Sequence, residues 1–321
     1  MKKIAVIGAG FAGLGATYHL LKRGGDVTLF DGKGIGQGAS GIASGLLHPY
    51  PGESARLSWM GNEGMKETKH LLGLVGQSVY KESGILKIAV TPKQKNAFQK
   101  LAKRYDDIEW WDEEKCHQFV QGSHFLPGIF VRSGITVHAP LYLKGLWKVC
   151  ETLGARLVEK NVSPAELKGY DEIIIAAGGG IRNFMESASL GLRFNKGQIL
   201  VCKKPEYFTP KSSVIGKGYI ALSHDASTCY LGSTYEREYL TEKPCQGAAT
   251  DLIFGQVSQF LPSYGYFDVM GCRADMRVTS PYSRLPIVQT LREGLHVFTA
   301  LGSRGLLYHA LLGKQLAEKV L

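Results

Sequence analysis

The chain has 321 residues, of which 44% are hydrophobic and 21% charged, a balance that excludes a disordered or fibrous protein and leaves room for two packed units. Its six cysteines are scattered, with no C-x-x-C pair and no cysteine and histidine spacing of a zinc site, which points to reduced thiols in a cytoplasmic protein. The formal net charge of +10 attracts anionic partners, but lysines and arginines are spread along the chain, so a solvated surface is expected rather than a DNA-binding face.

No apolar run approaches the roughly 20 residues that span a bilayer. Met1-Lys2-Lys3 and the apolar residues after it imitate a secretory leader, yet cleavage would destroy the motif that follows, so no leader is expected. That motif lies in Lys2 to Asp31: a buried strand (Ile4 to Ile7), a glycine turn, an apolar helix and a second strand (Val27 to Phe30) ending in an acid. Gly8, Gly10 and Gly13 stand in G-x-G-x-x-G spacing, which permits a tight turn, the approach of a pyrophosphate to the backbone, and close packing of helix on strand. The helix N-terminus offers free N–H groups to phosphates, and Asp31 falls where a carboxylate accepts ribose hydroxyls. The motif is compatible with NAD and with FAD.

Residues 32–50 are rich in glycine and small side chains, including Ala39, Ser40 and Gly45, and suit a backbone that runs against a flat ligand. Ser40 is expected to cap a following helix aimed at the diphosphate. A helix is expected from Ser54 to about Gln77. Residues 84–134 read as an inserted α+β module: a strand from Ile85 to Val90, a helix opened by Pro92, an aromatic strand at Trp110 and Trp111, and a short helix capped by Asp112. Pro140 opens another helix, which Gly154 ends before a strand at Arg156 to Glu159.

Asp171 to Gly180, DEIIIAAGGG, is a continuous apolar run with a glycine end, as expected of a parallel strand covered on both faces and followed by a ligand-accommodating turn. Residues 196–283 alternate like antiparallel strands (Gln198 to Cys202, Val214 to Leu222, Thr228 to Ser233, Tyr266 to Met276), with a helix near Asp251 to Phe260. A strand from His296 to Ala300, a glycine turn at Gly302 to Gly305 and an apolar helix close the chain. This turn aims a second helix N-terminus at the ligand.

These pieces together resemble the D-amino-acid oxidase and glycine oxidase family of FAD-dependent oxidoreductases. The likeness rests on VIGAGFAGLGATYHL, GASGIASGLLHP, EIIIAAGGG, NKGQIL, YIALSHDASTCYLGSTYE and ALGSRGLLYHALLGKQLAEKV, in the family's order over essentially the whole chain. Gly302-Ser303-Arg304-Gly305-Leu306 and Arg284 to Val288 are similar to the flavin half of the bifunctional tRNA enzymes that oxidise carboxymethylaminomethyluridine, without a counterpart of their methyltransferase half.

The resemblance implies an α/β fold: a Rossmann-like FAD domain (residues 1–80, 135–195 and 285–321) and an α+β substrate domain on a mixed sheet (81–134 and 196–284). It implies non-covalent FAD held by Gly8, Gly10, Phe11, Ala12, Gly13, Asp31, Ala39, Ser40, Gly45, Val162, Ala177, Gly178 and Gly302 to Leu306. It also implies oxidation of a carbon–nitrogen bond by hydride transfer to flavin N5. The family position of the carboxylate-binding arginine falls on Arg273, with Arg277 and Arg284 as alternatives because the segment from Arg273 to Leu285 is longer than usual. Tyr219 and Tyr235 are expected to flank the substrate, and His48 is either near the flavin ring or structural.

Three functions fit: oxidation of a small amino acid or secondary amine, the same chemistry on a modified uridine of tRNA, and non-catalytic binding of FAD or NAD. A strict NAD dehydrogenase fits poorly, because it has no use for the later glycine turns.

Overall fold

The computed structural model describes residues 1–321. The first segment holds β1 (Lys3–Ile7), α1 (Phe11–Lys22), β2 (Asp26–Phe30), β3 (Leu46–Leu47), α2 (Gly61–Val75) and β4 (Tyr80–Lys81). The second holds β5 (Ile85–Ile88), α3 (Pro92–Ala102), β6 (Ile108–Trp111), α4 (Glu113–Phe119) and β7 (Gly128–Val131). There follow β8 (Ile135–Val137), α5 (Ala139–Thr152), β9 (Arg156–Val158) and β10 (Glu172–Ile175). A strand-rich stretch comes next: β11 (Arg193–Lys203), β12 (Ser213–Ile215), β13 (Tyr219–Leu222), β14 (Thr228–Gly232), α6 (Gln246–Val257) and β15 (Asp268–Thr279). The chain closes with β16 (Ile287–Arg292), β17 (Leu295–Thr299) and α7 (Gly305–Val320).

A six-stranded sheet has the order β16-β17-β10-β1-β2-β9 and is parallel except for β16 at its edge. Its central strands are apolar on both faces, because helices α1, α5 and α7 cover one side with a core of 36 buried residues and a smaller cluster fills the other. The turn after β1 depends on glycine twice. Gly8 has φ 111°, and a Cβ at Gly13 would lie 1.7 Å from the Gly8 carbonyl oxygen, so α1 packs onto the turn only without a side chain there.

Strands from the second and fourth segments join in one eight-stranded sheet, β15-β11-β14-β13-β12-β5-β7-β6, antiparallel apart from the β12–β5 pair. Strand alternation divides its faces. Leu86, Val214, Ile220, Leu231 and Leu200 lie in register across five strands and are fully buried in the core beneath α6. On the opposite face the register row runs Lys87, Ile215, Tyr219, Gly232, Ile199 and Arg273.

Four expectations need correction. The helix expected from Ser54 begins at Gly61, because Ala55 (φ 48°) and Met60 (φ 47°) are left-handed and hold residues 51–60 in turns. No helix follows Ser40; its Oγ instead accepts the Phe11 N–H at 3.0 Å, at the start of α1. The helix expected near 251–260 is α6, which starts and ends earlier. The single strand expected from Val214 to Leu222 is a hairpin, β12 and β13 paired antiparallel across a turn at residues 216–218, and the edge strand β16 and the small sheet β3-β8-β4 were not foreseen.

Candidate active site

A cavity of about 1240 Å³ lies between the carboxyl ends of β1, β10 and β17 and the row face of the eight-stranded sheet. Single-ligand pockets usually measure roughly 300–1,000 Å³, so this one accommodates an extended cofactor together with a substrate. It sits where parallel α/β sheets bind nucleotides, outside their carboxyl ends.

At the β1 end the cavity is lined by Gly8, Gly10, Phe11, Ala12 and Asp31. Gly13 does not line it, since it packs behind the turn. Asp31 ties the turns after β1 and β2 together: one carboxylate oxygen accepts the Ala9 N–H at 2.8 Å, and the other accepts Lys33 N–H at 2.8 Å and Gly34 N–H at 3.1 Å. Ala39, Ser40, Gly45, Val162, Ala177 and Gly178 complete this wall, and Gly302, Ser303, Arg304, Gly305 and Leu306 form the opposite end at the N-terminus of α7. The glycine cradle and the two helix N-termini fit a dinucleotide. So does Thr299, a buried cavity-lining residue whose hydroxyl has no hydrogen-bond partner.

On the sheet side the structure separates the residues expected to meet substrate. Tyr219 lines the cavity; Tyr235 is 54% exposed and does not. Arg273 stands on the cavity-facing side of β15 but beyond the cavity, exposed, with its guanidinium 6.0 Å from the Tyr230 ring. Arg284 is exposed in the turn after β15 and also lies outside. Arg277, one turn of the pleat further along β15 than Asp275, is the arginine that this strand places at the cavity, half-buried.

Its guanidinium donates to Thr234 O at 2.8 Å and Ser233 Oγ at 3.0 Å, which leaves three of its five N–H donors for a ligand. Gly197 makes this pose possible: a Cβ there would lie 2.3 Å from the guanidinium carbon. Gly232 does the same for Tyr219, whose hydroxyl would meet a Cβ at 2.3 Å. Burial raises the Tyr219 pKa above its ordinary value, opposed by Ser44, Arg277 and Ser233, so the phenol is a neutral hydrogen-bonding group at pH 7.

His48 lines the cavity, and its Nδ1 accepts the Tyr50 N–H at 3.2 Å. Burial, reinforced by Lys87, holds its pKa well below the ordinary value, so it is a neutral imidazole. The sequence reading missed Lys87, Asp275, Ser233 and Thr299, all of which line the cavity. A lysine inside the apolar run Ile85-Leu86-Lys87-Ile88-Ala89-Val90 was the one visible signal.

A family model described as FAD dependent oxidoreductase (DAO) matches residues 3–319. The tRNA 5-methylaminomethyl-2-thiouridine biosynthesis bifunctional protein of Leptospira interrogans is 23% identical over all of this chain, which spans 58% of that protein. The chain therefore covers just over half of that relative's length. Among solved structures, glycine oxidase from Bacillus cereus superposes with a TM-score of 0.82 at 18% identity, over 100% of this chain and 95% of that one. Iminodiacetate oxidase from Chelativorans sp. BNC1 does so with a TM-score of 0.82 at 21% identity, over 99% and 95%.

Proposed function

The chain belongs to the DAO family of FAD-dependent oxidoreductases, and from that premise we propose that it oxidises a carbon–nitrogen bond of a small amino acid or secondary amine bearing a carboxylate. The observation that carries the reading is Arg277, a half-buried arginine with unspent donors, beside the neutral Tyr219 hydroxyl in the cavity. Such a fork grips a carboxylate through two parallel charge-assisted hydrogen bonds. The role expected of Arg273 passes to Arg277, and the unusually long segment from Arg273 to Leu285 is what a displaced alignment would produce.

When bound, FAD supplies the acceptor for the two electrons that leave the substrate carbon. Residues 1–80, 135–195 and 285–321 are assigned to its domain, and 81–134 and 196–284 to the substrate domain. The residues expected for the cofactor hold it at the β1 turn, the 39–45 loop, the β10 turn and the α7 turn, with Gly13 acting through packing. No cysteine lines the cavity, which supports non-covalent attachment. The protein's own contribution is positional: Arg277 fixes the carboxylate, and Tyr219 donates or accepts a hydrogen bond beside it. His48, neutral at pH 7, offers hydrogen bonds and no charge.

No helix is long and apolar enough to cross a membrane, and six free cysteines fit a cytoplasmic protein. A second reading, the same chemistry on a modified uridine of tRNA, is favoured by the relative from Leptospira interrogans and by the net charge of +10. Anaerobic mixing of the FAD-loaded protein with glycine, sarcosine, proline, D-amino acids and modified tRNA, while flavin absorbance is followed, decides between them. Bleaching by a carboxylated amine supports the proposal. Bleaching by tRNA alone moves the function to RNA, and bleaching by none leaves a non-catalytic FAD-binding protein.

A further inference from the structure

Lys87 is 3% exposed and lies in the register row with Ile215 and Tyr219 on the cavity face of the eight-stranded sheet. Its amino group donates to Tyr50 O at 2.8 Å and Gly52 O at 3.2 Å, and no carboxylate pairs with it. Burial pushes Lys87 down to about 7, and an anion beside it would favour the ammonium form, whose three donors leave one beyond the two carbonyls. Burying a cation without a counter-charge is costly, and a neutral side chain could brace a loop more cheaply. The cavity wall beside it ends at an exposed ion pair, Lys217 to Glu53 at 2.8 Å.

Resting on the function proposed above, we infer that Lys87 is a second anchor, for an anionic group at the far end of a substituent on the substrate nitrogen. The strand order sets a minimum for the length of that substituent, since the Arg277 guanidinium lies over Gly197 of β11, beyond Tyr219 as seen from Lys87. Lys87 and Tyr219 stand on strands two steps apart, a lateral separation of about 10 Å at roughly 4.8 Å per step. The Tyr219 hydroxyl points over Gly232, towards Ser233 and Arg277 and away from Lys87. A carboxylate on Arg277 and an anion on Lys87 therefore call for an extended ligand, such as an N-substituted amino acid with an acidic tail. Glycine is too short to meet both.

The test uses two probes of equal length, N-(carboxybutyl)glycine and N-pentylglycine, with the FAD-loaded full chain. Binding is read from the perturbation of the oxidised flavin spectrum, and flavin reduction is followed separately under anaerobic conditions. The parent protein should bind the carboxylated probe roughly ten- to a hundred-fold more tightly, the range for a hydrogen bond to a charged group. Lys87→Met should bring this ratio close to one, and Lys87→Arg should keep part of it. A ratio near one in the parent overturns the inference without any variant, which covers the case in which Lys87→Met does not fold. A ratio that survives in Lys87→Met, or equal weakening of both probes there, also overturns it, the latter by making Lys87 a brace for the 50–52 turn. Lys87-dependent preference without flavin reduction upholds the anchor and removes the amine-oxidising reading; reduction with no preference does the reverse.

Discussion

Arg277 and Arg273 share one face of one strand, and burial alone separates them. An exposed guanidinium competes with water for a carboxylate, whereas one held at a cavity wall by Thr234 O and Ser233 Oγ is already oriented. The sequence offered both residues but not their depth, because a β-strand pattern gives the face of a side chain and not how far along the strand the cavity reaches. The dependence of Arg277 on Gly197 gives a prediction at this scale. Gly197→Ala sets a methyl 2.3 Å from the guanidinium carbon and must push it aside. Affinity for a carboxylated amine should fall by at least roughly tenfold, about 1.4 kcal/mol, while FAD content stays at the parent level. Titration of the oxidised flavin spectrum with substrate checks this, and unchanged affinity would free Arg277 from the role.

At the scale of elements, the β1–α1–β2 unit was legible because its glycine spacing, apolar runs and terminal acid answer one physical demand, a phosphate against a helix N-terminus. The strand Glu172–Ile175 was legible because a continuous apolar run suits a strand covered on both faces. Where the chain turns through left-handed residues at Ala55 and Met60, the composition still imitates a helix, and β16 is a short, partly exposed edge strand whose pattern carries little periodicity. Ser40 shows a subtler miss: it does serve a helix N-terminus, but that of α1, some thirty residues earlier in the chain. Asp31 accepts one backbone N–H from the β1–α1 turn and two from its own loop after β2, tying the two together, so its removal has two consequences. Asp31→Ala should cost about 1.5–3 kcal/mol of FAD affinity, and it should also lower the melting temperature of the cofactor-free protein. FAD titration and thermal unfolding of the apoprotein read the two effects; a loss of neither would leave Asp31 without a role in the turn.

Across the whole molecule, the site joins segments that the chain keeps far apart: Gly8, His48, Tyr219, Arg277 and Gly302 all meet at one cavity. Their residue types were visible, but their meeting depends on the strand order of two sheets, which single-sequence patterns do not carry. Beneath the site the core encloses His19, His138 and His309, each pushed down to about 4, chiefly by burial. In the unfolded chain these groups titrate near about 6.5, so the unfolded state binds more protons as the pH falls below that value. Their contribution to stability is fully present above about 6.5 and is lost as the pH falls through about 4. The urea midpoint should therefore be lower at pH 5 than at pH 7.5, and equal midpoints would contradict the burial of neutral histidines.

In the proposed reaction a carboxylated amine reduces the flavin of this protein while held by Arg277. The most direct measurement is anaerobic flavin reduction by the substrate that bleaches the parent most readily, repeated with Arg277→Ala and Arg273→Ala at matched FAD content. Truncating one member of a buried charged pair costs about 2–5 kcal/mol, so Arg277→Ala should weaken the apparent substrate affinity by roughly thirty- to several-thousand-fold. Arg273→Ala, exposed beside Tyr230, should follow the parent. Parent-like reduction by Arg277→Ala, or a loss confined to Arg273→Ala, would contradict the account.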